Sequence, residues 1–558
     1  MAVVRLDLEE LRRALAGAVG DLRVSTKGTD RTAHARDMWT RLLFSVRAGA
    51  PTSHPPDAVV WPETAGELAE IMHVARRLHV PVVPYGAGSG VCGGVVPLHG
   101  GISIDLKRMD RILRIDPDDL TCEVEAGVMG ERLERELCRK GFTLGHFPSS
   151  IYCSTVGGWL AARSAGQLST KYGKIEDMVR GLTAVTGRGD VITTGRHGRA
   201  MVGPDFTQLL VGSEGTLAII TSARLKIRPA PELLVLRGYE FPDVGSGLEG
   251  IRRVMQRGLR PAVVRLYDEF DTFMALLHKE SRKEEAVQRV EGGALPSLEG
   301  PPAVTDADGP LARLRALIPS AAGNGHGALG RELFHAALVR SRVLNTAAVT
   351  LARKLGRRGC MLIVGTEGAR ARTEVEASLV GRELEKAGGK DLGEEPGKNW
   401  LERRYAMSYK MPKVYEMGAF ADTMEVASTW ERLLDLYDSV RQAISRHAFV
   451  MAHFSHAYPE GCSIYFTFVG YAATRQQAEK KYDELWRDGL AAATRAGGTI
   501  SHHHGVGLLK SPFMADEHRD SMAIYQALKN ALDPDGILNP GKMGLSWQGT
   551  PFAMITRK

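Results

Sequence analysis

Apolar and polar positions alternate in two ways along residues 56–230: short β-branched runs, then stretches at helical spacing. Ala58-Val59-Val60-Trp61 predicts a strand. Thr64 and Glu67 have the spacing of a capping box, and Leu68, Ile71, Met72, Ala75 and Leu78 follow on one helical face. Val80-Pro81-Val82-Val83 predicts the next strand, which runs into a glycine-rich loop. Residues 102–106 and 121–125 alternate as half-buried strands do. The pattern predicts an α+β or α/β domain.

From residue 231 the pattern changes. Charged helical stretches alternate with strands such as Cys360–Gly365 and Ser463–Phe468. Glu291–Gly309, rich in Gly, Pro and acids, is expected to be a mobile loop. Glu332–Leu355 is Ala-rich and carries Arg340, Arg342, Arg353 and Lys354. It fits an amphipathic helix that lies on a membrane surface or packs on its own domain. At the N-terminus Leu8, Leu11 and Leu15 share a helical face. The expected organisation is an N-terminal helical segment (1–55), one domain at 56–230, a second at 231–499 and a C-terminal segment (500–558).

With 558 residues the chain is long enough for two or more folding units. Its net charge of +7 favours anionic partners. No zinc-finger spacing, RNP-like aromatic motif or basic region joined to heptads is present, so no nucleic-acid partner is expected. The six cysteines are scattered and form no C-x-x-C pair, which fits a reducing compartment. No signal-peptide pattern and no apolar run of spanning length is seen, so a cytoplasmic enzyme, in contact with membrane or not, is expected. The expected assembly is a homodimer.

Three motifs carry chemistry. Pro84-Tyr85-Gly86-Ala87-Gly88-Ser89-Gly90, with Gly93-Gly94 beyond, follows a strand. Such a loop can turn sharply and bring N–H groups to a diphosphate, or it can be a structural turn. Its spacing is not that of the dinucleotide fingerprint. The second motif spans Gly145-His146-Phe147-Pro148-Ser149-Ser150, Ser154-Thr155-Val156-Gly157-Gly158-Trp159, Arg163-Ser164-Ala165-Gly166 and Tyr172-Gly173-Lys174-Ile175-Glu176-Asp177. Its small and hydroxyl residues suit close approach to a flat ring and a phosphate chain. The third is Gly212-Ser213-Glu214-Gly215-Thr216-Leu217-Ala218-Ile219-Ile220-Thr221, a glycine turn leading into a strand.

In this order the three motifs resemble the FAD domain of the vanillyl-alcohol oxidase and p-cresol methylhydroxylase family. Leu532-Asp533-Pro534-Asp535-Gly536-Ile537-Leu538-Asn539-Pro540-Gly541-Lys542 is similar to that family's C-terminal signature. The resemblance implies an α+β fold: an FAD-binding domain of two α+β subdomains, with an α+β cap domain. It implies that Pro84 to Gly90 hold the diphosphate. His146, Ser149, Ser150, Ser154, Thr155, Gly158, Ala162 to Ala165, and Glu214 to Ile220 would line the rest of the FAD. Some members attach FAD through a histidine in the first loop. Here Ala87 stands in that loop and no histidine is present, so FAD is expected to be non-covalent.

Ile500-Ser501-His502-His503-His504-Gly505-Val506-Gly507 invites three readings: a metal site, a catalytic segment or a loop cluster. On an extended segment His502 and His504 would share a face, with His503 pointing away. The phrase resembles the alkylglycerone-phosphate synthases. A metal-serving glutamate found in related 2-hydroxy-acid dehydrogenases is replaced here by His503, so no metal is expected. His453-Phe454-Ser455-His456 and Gly461-Cys462-Ser463-Ile464-Tyr465-Phe466 also resemble the synthases.

That resemblance implies exchange of the acyl group of acyl-dihydroxyacetone phosphate for a fatty alcohol through a flavin N5 adduct. Tyr465 would be the acid/base, supported by His502, His503 and His504, whose positive charge would lower its pKa. The substrate is then a lipid-like phosphorylated molecule. One departure is Met411, where the synthases place a phosphate-binding arginine. Lys410 would face the other way on a strand, and Arg404, Arg403 or Lys413 are candidate substitutes. The alternatives are an FAD-linked oxidase or dehydrogenase of a hydroxylated substrate such as a 2-hydroxy acid, and a scaffold without catalysis.

Overall fold

A computed structural model describes residues 7–50, 53–195, 202–272, 328–354, 359–405 and 411–546. The chain forms two compact units. The first comprises Met1–Gly166, Gly173–Pro229 and His503–Lys558, and the second Gln167–Tyr172 and Ala230–His502. Gln167–Tyr172 lies within the stretch read as one domain at 56–230, yet it belongs to the second unit. The expected loop at 291–309 lies outside the described residues.

The first unit is built on two main sheets, besides a two-stranded pairing of Phe142–Thr143 with Arg228–Pro229. In the smaller, Ala58–Val60, Ile102–Asp105 and Val82–Tyr85 run parallel, and Val24–Ser25 pairs antiparallel at one edge. The helix Ala65–Leu78 makes the crossover that parallel pairing requires. Thr64 caps it by accepting a hydrogen bond from the Glu67 N–H, 3.1 Å. The Glu67 carboxylate reaches Glu63 N and Arg23 instead of closing the expected box. Leu68, Ile71, Met72 and Ala75 are fully buried with Leu11 and Leu15 of the helix Leu8–Val19; Leu8 is exposed. The second sheet is antiparallel, in the order Ile112–Asp116, Thr121–Glu125, Ala218–Lys226, Val179–Thr186 and Val191–Thr193.

The second unit is a seven-stranded antiparallel sheet. Its order is Lys390–Gly393, Leu233–Phe241, Cys360–Gly368, Val263–Tyr267, Phe449–Ala457, Gly461–Tyr471 and Ala419–Thr429. Side chains alternate between its faces. Leu266, Phe454, Ile464, Phe466 and Phe468 are fully buried on one face, where Phe454 and Phe466 meet Tyr437 of the helix Leu433–Ser445. The opposite face carries His453, Tyr465 and Glu425 opposite one another in register, and Arg265 opposite Ser455, two residues along from His453.

The amphipathic stretch at 332–355 forms two helices, Ala328–Val339 and Ser341–Lys354, broken at Arg340. It packs on its own unit. Leu338 is buried in a small core with Phe270, Phe449 and Met451, and Asn345 bonds the backbone of Ala448 and Val450. On either side of the stretch around Lys410 that was expected to be a strand, the described residues form the helices Glu395–Arg403 and Met411–Glu416. Lys410 itself lies outside the described residues. Among the described residues no helix is long and apolar enough to cross a membrane.

Candidate functional site

The first glycine loop leaves the buried end of Val82–Tyr85. A Cβ on Gly86 would meet Thr155 Oγ1 at 2.5 Å, so only glycine lets the loop lie against the second motif. Thr155 caps the helix Val156–Ala162, with Gly158 N donating to its hydroxyl. Trp159 Nε1 donates to Ser154 Oγ, which donates to Ser150 O, both 2.8 Å. Arg163 closes the helix in the left-handed region and pairs with Glu176 at 3.5 Å. Along this run Pro84, Gly86–Ser89, Ser150, Ala162 and Ser164 keep partly open surface, and Gly90, Ser149, Gly158 and Arg163 are exposed, whereas Tyr85, Ser154, Thr155 and Ala165 are buried.

His146 is almost wholly buried. Its Nε2 pairs with Ser164 Oγ at 2.9 Å, and its Nδ1 has no hydrogen-bond partner among the described residues. Burial, aided by Lys174, pushes its pKa down to about 3, so the ring is neutral. A buried, unpaired ring nitrogen beside an open cradle of small residues fits a flat heterocycle with polar edges. These residues therefore fit FAD.

Glu214 was expected to line the cofactor. Its carboxylate instead accepts from Val506 N (2.5 Å) and Gly507 N (2.8 Å), fastening the segment after the histidine run. Gly505 makes this possible, because a Cβ there would lie 2.5 Å from Glu214 Oε1. Burial pushes the Glu214 carboxyl up, and those two N–H groups pull it back. Glu214 sits at φ +48, and Gly215 to Ile220 are buried as the chain enters its strand.

In the second unit Tyr465 lies between His453 and Glu425. Its ring stacks on His453, centroids 4.9 Å apart. Burial pushes the phenol up to about 12; a hydrogen bond with Thr423 and the charge of Arg265 oppose this, and Asp422 and Glu425 add to it. This corrects the expectation of a lowered phenol. The imidazole beside Tyr465 is His453, and burial with Arg265 nearby holds His453 well below the usual histidine range, hence neutral. Arg265 Nη2 lies 3.4 Å from His453 Nδ1.

The histidine run is a series of bends, so the alternation of an extended segment fails. His503 meets His504 edge-on at 4.6 Å, and His502 stacks on His456 at 5.2 Å. The buried Glu425 carboxylate accepts from Ser501 Oγ (2.9 Å) and from His502 N. Tyr458 Oη lies 3.2 Å from His502 Nε2 and 3.4 Å from Ser169 Oγ, which is 2.6 Å from His456 Nδ1. His456 bulges from its strand at φ +55.

Arg404, a candidate for the substrate phosphate, is buried over the rings of Tyr405 (4.7 Å) and Trp400 (5.9 Å). Its charge acts on buried Glu367, whose carboxyl is pushed up by burial and accepts from Tyr172 Oη at 2.5 Å. Sequence reasoning missed Glu425, Ser169 and Arg265 and gave Tyr458 no role. For Glu425 the signal exists only in strand register, opposite Tyr465.

Residues 56–195 match the FAD binding domain model, and residues 321–543 match that of FAD linked oxidases, C-terminal domain. The chain is 30% identical over 521 residues to an alkyldihydroxyacetonephosphate synthase of Trypanosoma brucei brucei, covering 91% of this chain and 75% of that protein. It is 29% identical over 528 residues to the synthase of Dictyostelium discoideum, covering 92% and 77%. A solved alkyldihydroxyacetonephosphate synthase shares the fold with a TM-score of 0.70 at 24% identity, covering 97% of this chain and 86% of that one. Substrate-bound p-cresol methylhydroxylase does so at 0.69 and 15% identity, covering 96% and 97%. The chain belongs to the alkyldihydroxyacetonephosphate synthase-type family of FAD-dependent flavoproteins, with FAD as its cofactor.

Proposed function

We propose that this enzyme exchanges the acyl group of acyl-dihydroxyacetone phosphate for a fatty alcohol, a step of ether-lipid synthesis. The observation that carries the reading is the likeness to synthases over nine-tenths of the chain. The polar sheet face supports it with a phenol, a neutral imidazole and a buried carboxylate in register. In the exchange the ester C–O bond breaks, an ether C–O bond forms, and the fatty acid leaves with the alcohol's proton, so net redox is zero. Bound FAD, held non-covalently, supplies an electrophilic ring that activates the substrate.

Tyr465 is the proposed proton carrier at the substrate carbon that exchanges. At neutral pH its phenol is protonated, so it gives its proton to the carboxylate that leaves this carbon and recovers one from the entering alcohol. His453 holds its ring, and Glu425 fixes Ser501 and His502. His502, His503 and His504 are the proposed supporting groups. Arg265 joins Arg404 and Lys410 as a candidate for the substrate anion, since Arg404 is already engaged by aromatic rings and Glu367.

A second reading rests on the oxidase model matched by residues 321–543: an FAD-linked oxidation of a hydroxylated substrate. A mass-resolved assay of FAD-loaded protein with acyl-dihydroxyacetone phosphate and a long-chain alcohol separates the two. Equal release of fatty acid and alkyl product supports the exchange. Lasting bleaching of the flavin without exchange supports the oxidase.

A further inference from the structure

Asn539 of the C-terminal signature is 445 residues from Gly94 in sequence, yet the signature threads back beside the first glycine loop. Val82 N donates to Ile537 O and Asn539 N donates to Val82 O, both 2.8 Å, so the signature pairs with the strand that launches the loop. Asn539 is buried at φ +40. Its Nδ2 donates to Gly94 O (3.0 Å) and to Glu214 O (2.7 Å). Lys542, 1% exposed, donates to Val96 O (2.8 Å) and to Asn539 Oδ1 (3.2 Å). One buried amide thus ties the end of the first cofactor motif to the turn of the third. That same Glu214 holds the segment after the histidines through its carboxylate.

We propose that Asn539 and Lys542 are positioning residues of the FAD site. They hold the Pro84–Gly94 loop and the Glu214 turn at FAD-binding spacing, and the buried Lys542 ammonium adds positive charge that favours the anionic cofactor. A packed core needs no such arrangement. Removing a lysine from water is costly, and apolar contacts would join the loops as well. The same unit has a second buried lysine tether: Lys529 Nζ donates to Thr216 O, Leu538 O and Asp533 Oδ2.

The titratable groups that act with Lys542 are Asp37, Glu214 and His99, and Lys510 acts on Glu214. Asp37 holds Gly93 N at 2.8 Å. Burial pushes the lysine down to about 8, against the pull of Glu214 and Asp37. Its charge is therefore complete below that pH and fades above it, and FAD binding should weaken from pH 7 to pH 9. Burial pushes Asp37 up to about 7. Lys542 helps to lower Asp37, so the two pH profiles are compared in an Asp37→Asn background, where that group cannot titrate.

The test is the FAD dissociation constant of reconstituted apoprotein, read by flavin fluorescence, for wild type, Lys542→Gln, Lys542→Met and Asn539→Gly. Glycine accepts the positive φ, so Asn539→Gly removes only the amide. Circular dichroism and thermal unfolding of the apoproteins report the fold. The expected result is FAD binding weakened about tenfold or more with the apoprotein folded, the scale of one buried polar group left unpaired. In Lys542→Gln the extra weakening between pH 7 and pH 9 should disappear. FAD affinity within about twofold of wild type in the folded variants would overturn the proposal, as would identical pH profiles. Neither readout depends on which reaction the enzyme catalyses.

Discussion

The Tyr465 ring lies over the His453 ring, centroids 4.9 Å apart and planes 25° from parallel. This stack fixes the phenol sideways and leaves its hydroxyl to Thr423 and to whatever substrate meets the polar face. Tyr465→Phe keeps the ring and its stack. The flavin spectrum and FAD affinity should therefore be unchanged while turnover falls about 10²- to 10⁴-fold, the usual worth of a positioned acid/base. Turnover equal to wild type would remove Tyr465 from the mechanism. Ultraviolet difference titration should show that Tyr465 stays protonated through pH 10, since its phenol is pushed up to about 12.

Glu425 is wholly buried and accepts from Ser501 Oγ and His502 N. Glu425→Ala leaves both donors without their acceptor, at a cost of about 1–3 kcal/mol in the stability of the second unit. Urea unfolding should show that loss. Turnover should fall with FAD affinity preserved, because the first unit carries the cradle. Glu425→Gln, whose amide oxygen still accepts, should recover part of the stability. Equal turnover in all three proteins would show that the position of His502 does not matter.

Much of the first unit is legible in the sequence. The strand at 58–60, the Thr64 cap, the helix to Leu78 and the strand at 121–125 follow from local periodicity, which reports burial directly. The partners of the glycine loop are not legible, because Asn539 and Thr155 reach it through the fold and leave no spacing signal. The histidine run misleads for a physical reason. Alternation of faces holds only for extended chain, and Gly505 and Gly507 bend this one at positive φ. Glu425 and Tyr465 are 40 positions apart and become neighbours only through strand register.

The helices Ala328–Val339 and Ser341–Lys354 turn one side inward, with Leu338 and Asn345 buried, and leave Val339, Arg340, Arg342 and Val343 exposed. Apolar and basic groups side by side fit an anionic lipid surface. Flotation with anionic vesicles should carry a fraction of the protein upward at low salt, and Arg340→Glu with Arg342→Glu should abolish this. Protein left wholly at the bottom with anionic vesicles would sink the idea.

His146 gives a prediction in pH. Its folded pKa is about 3, below the usual histidine value, because burial disfavours the charged ring. The unfolded chain takes up a proton near pH 6.5 and the folded chain does not. The contribution to stability is thus complete above pH 6.5 and is lost as pH falls towards 3. The slope is at most about 1.4 kcal/mol per pH unit for this one proton. His146→Gln cannot titrate, so its unfolding free energy should fall less steeply than that of wild type between pH 6.5 and pH 5, above the range where most carboxylates protonate. Urea unfolding of the apoproteins at several pH values measures both slopes. Equal slopes would mean that His146 becomes charged in the folded protein, and a neutral, unpaired Nδ1 could then no longer be offered to the flavin.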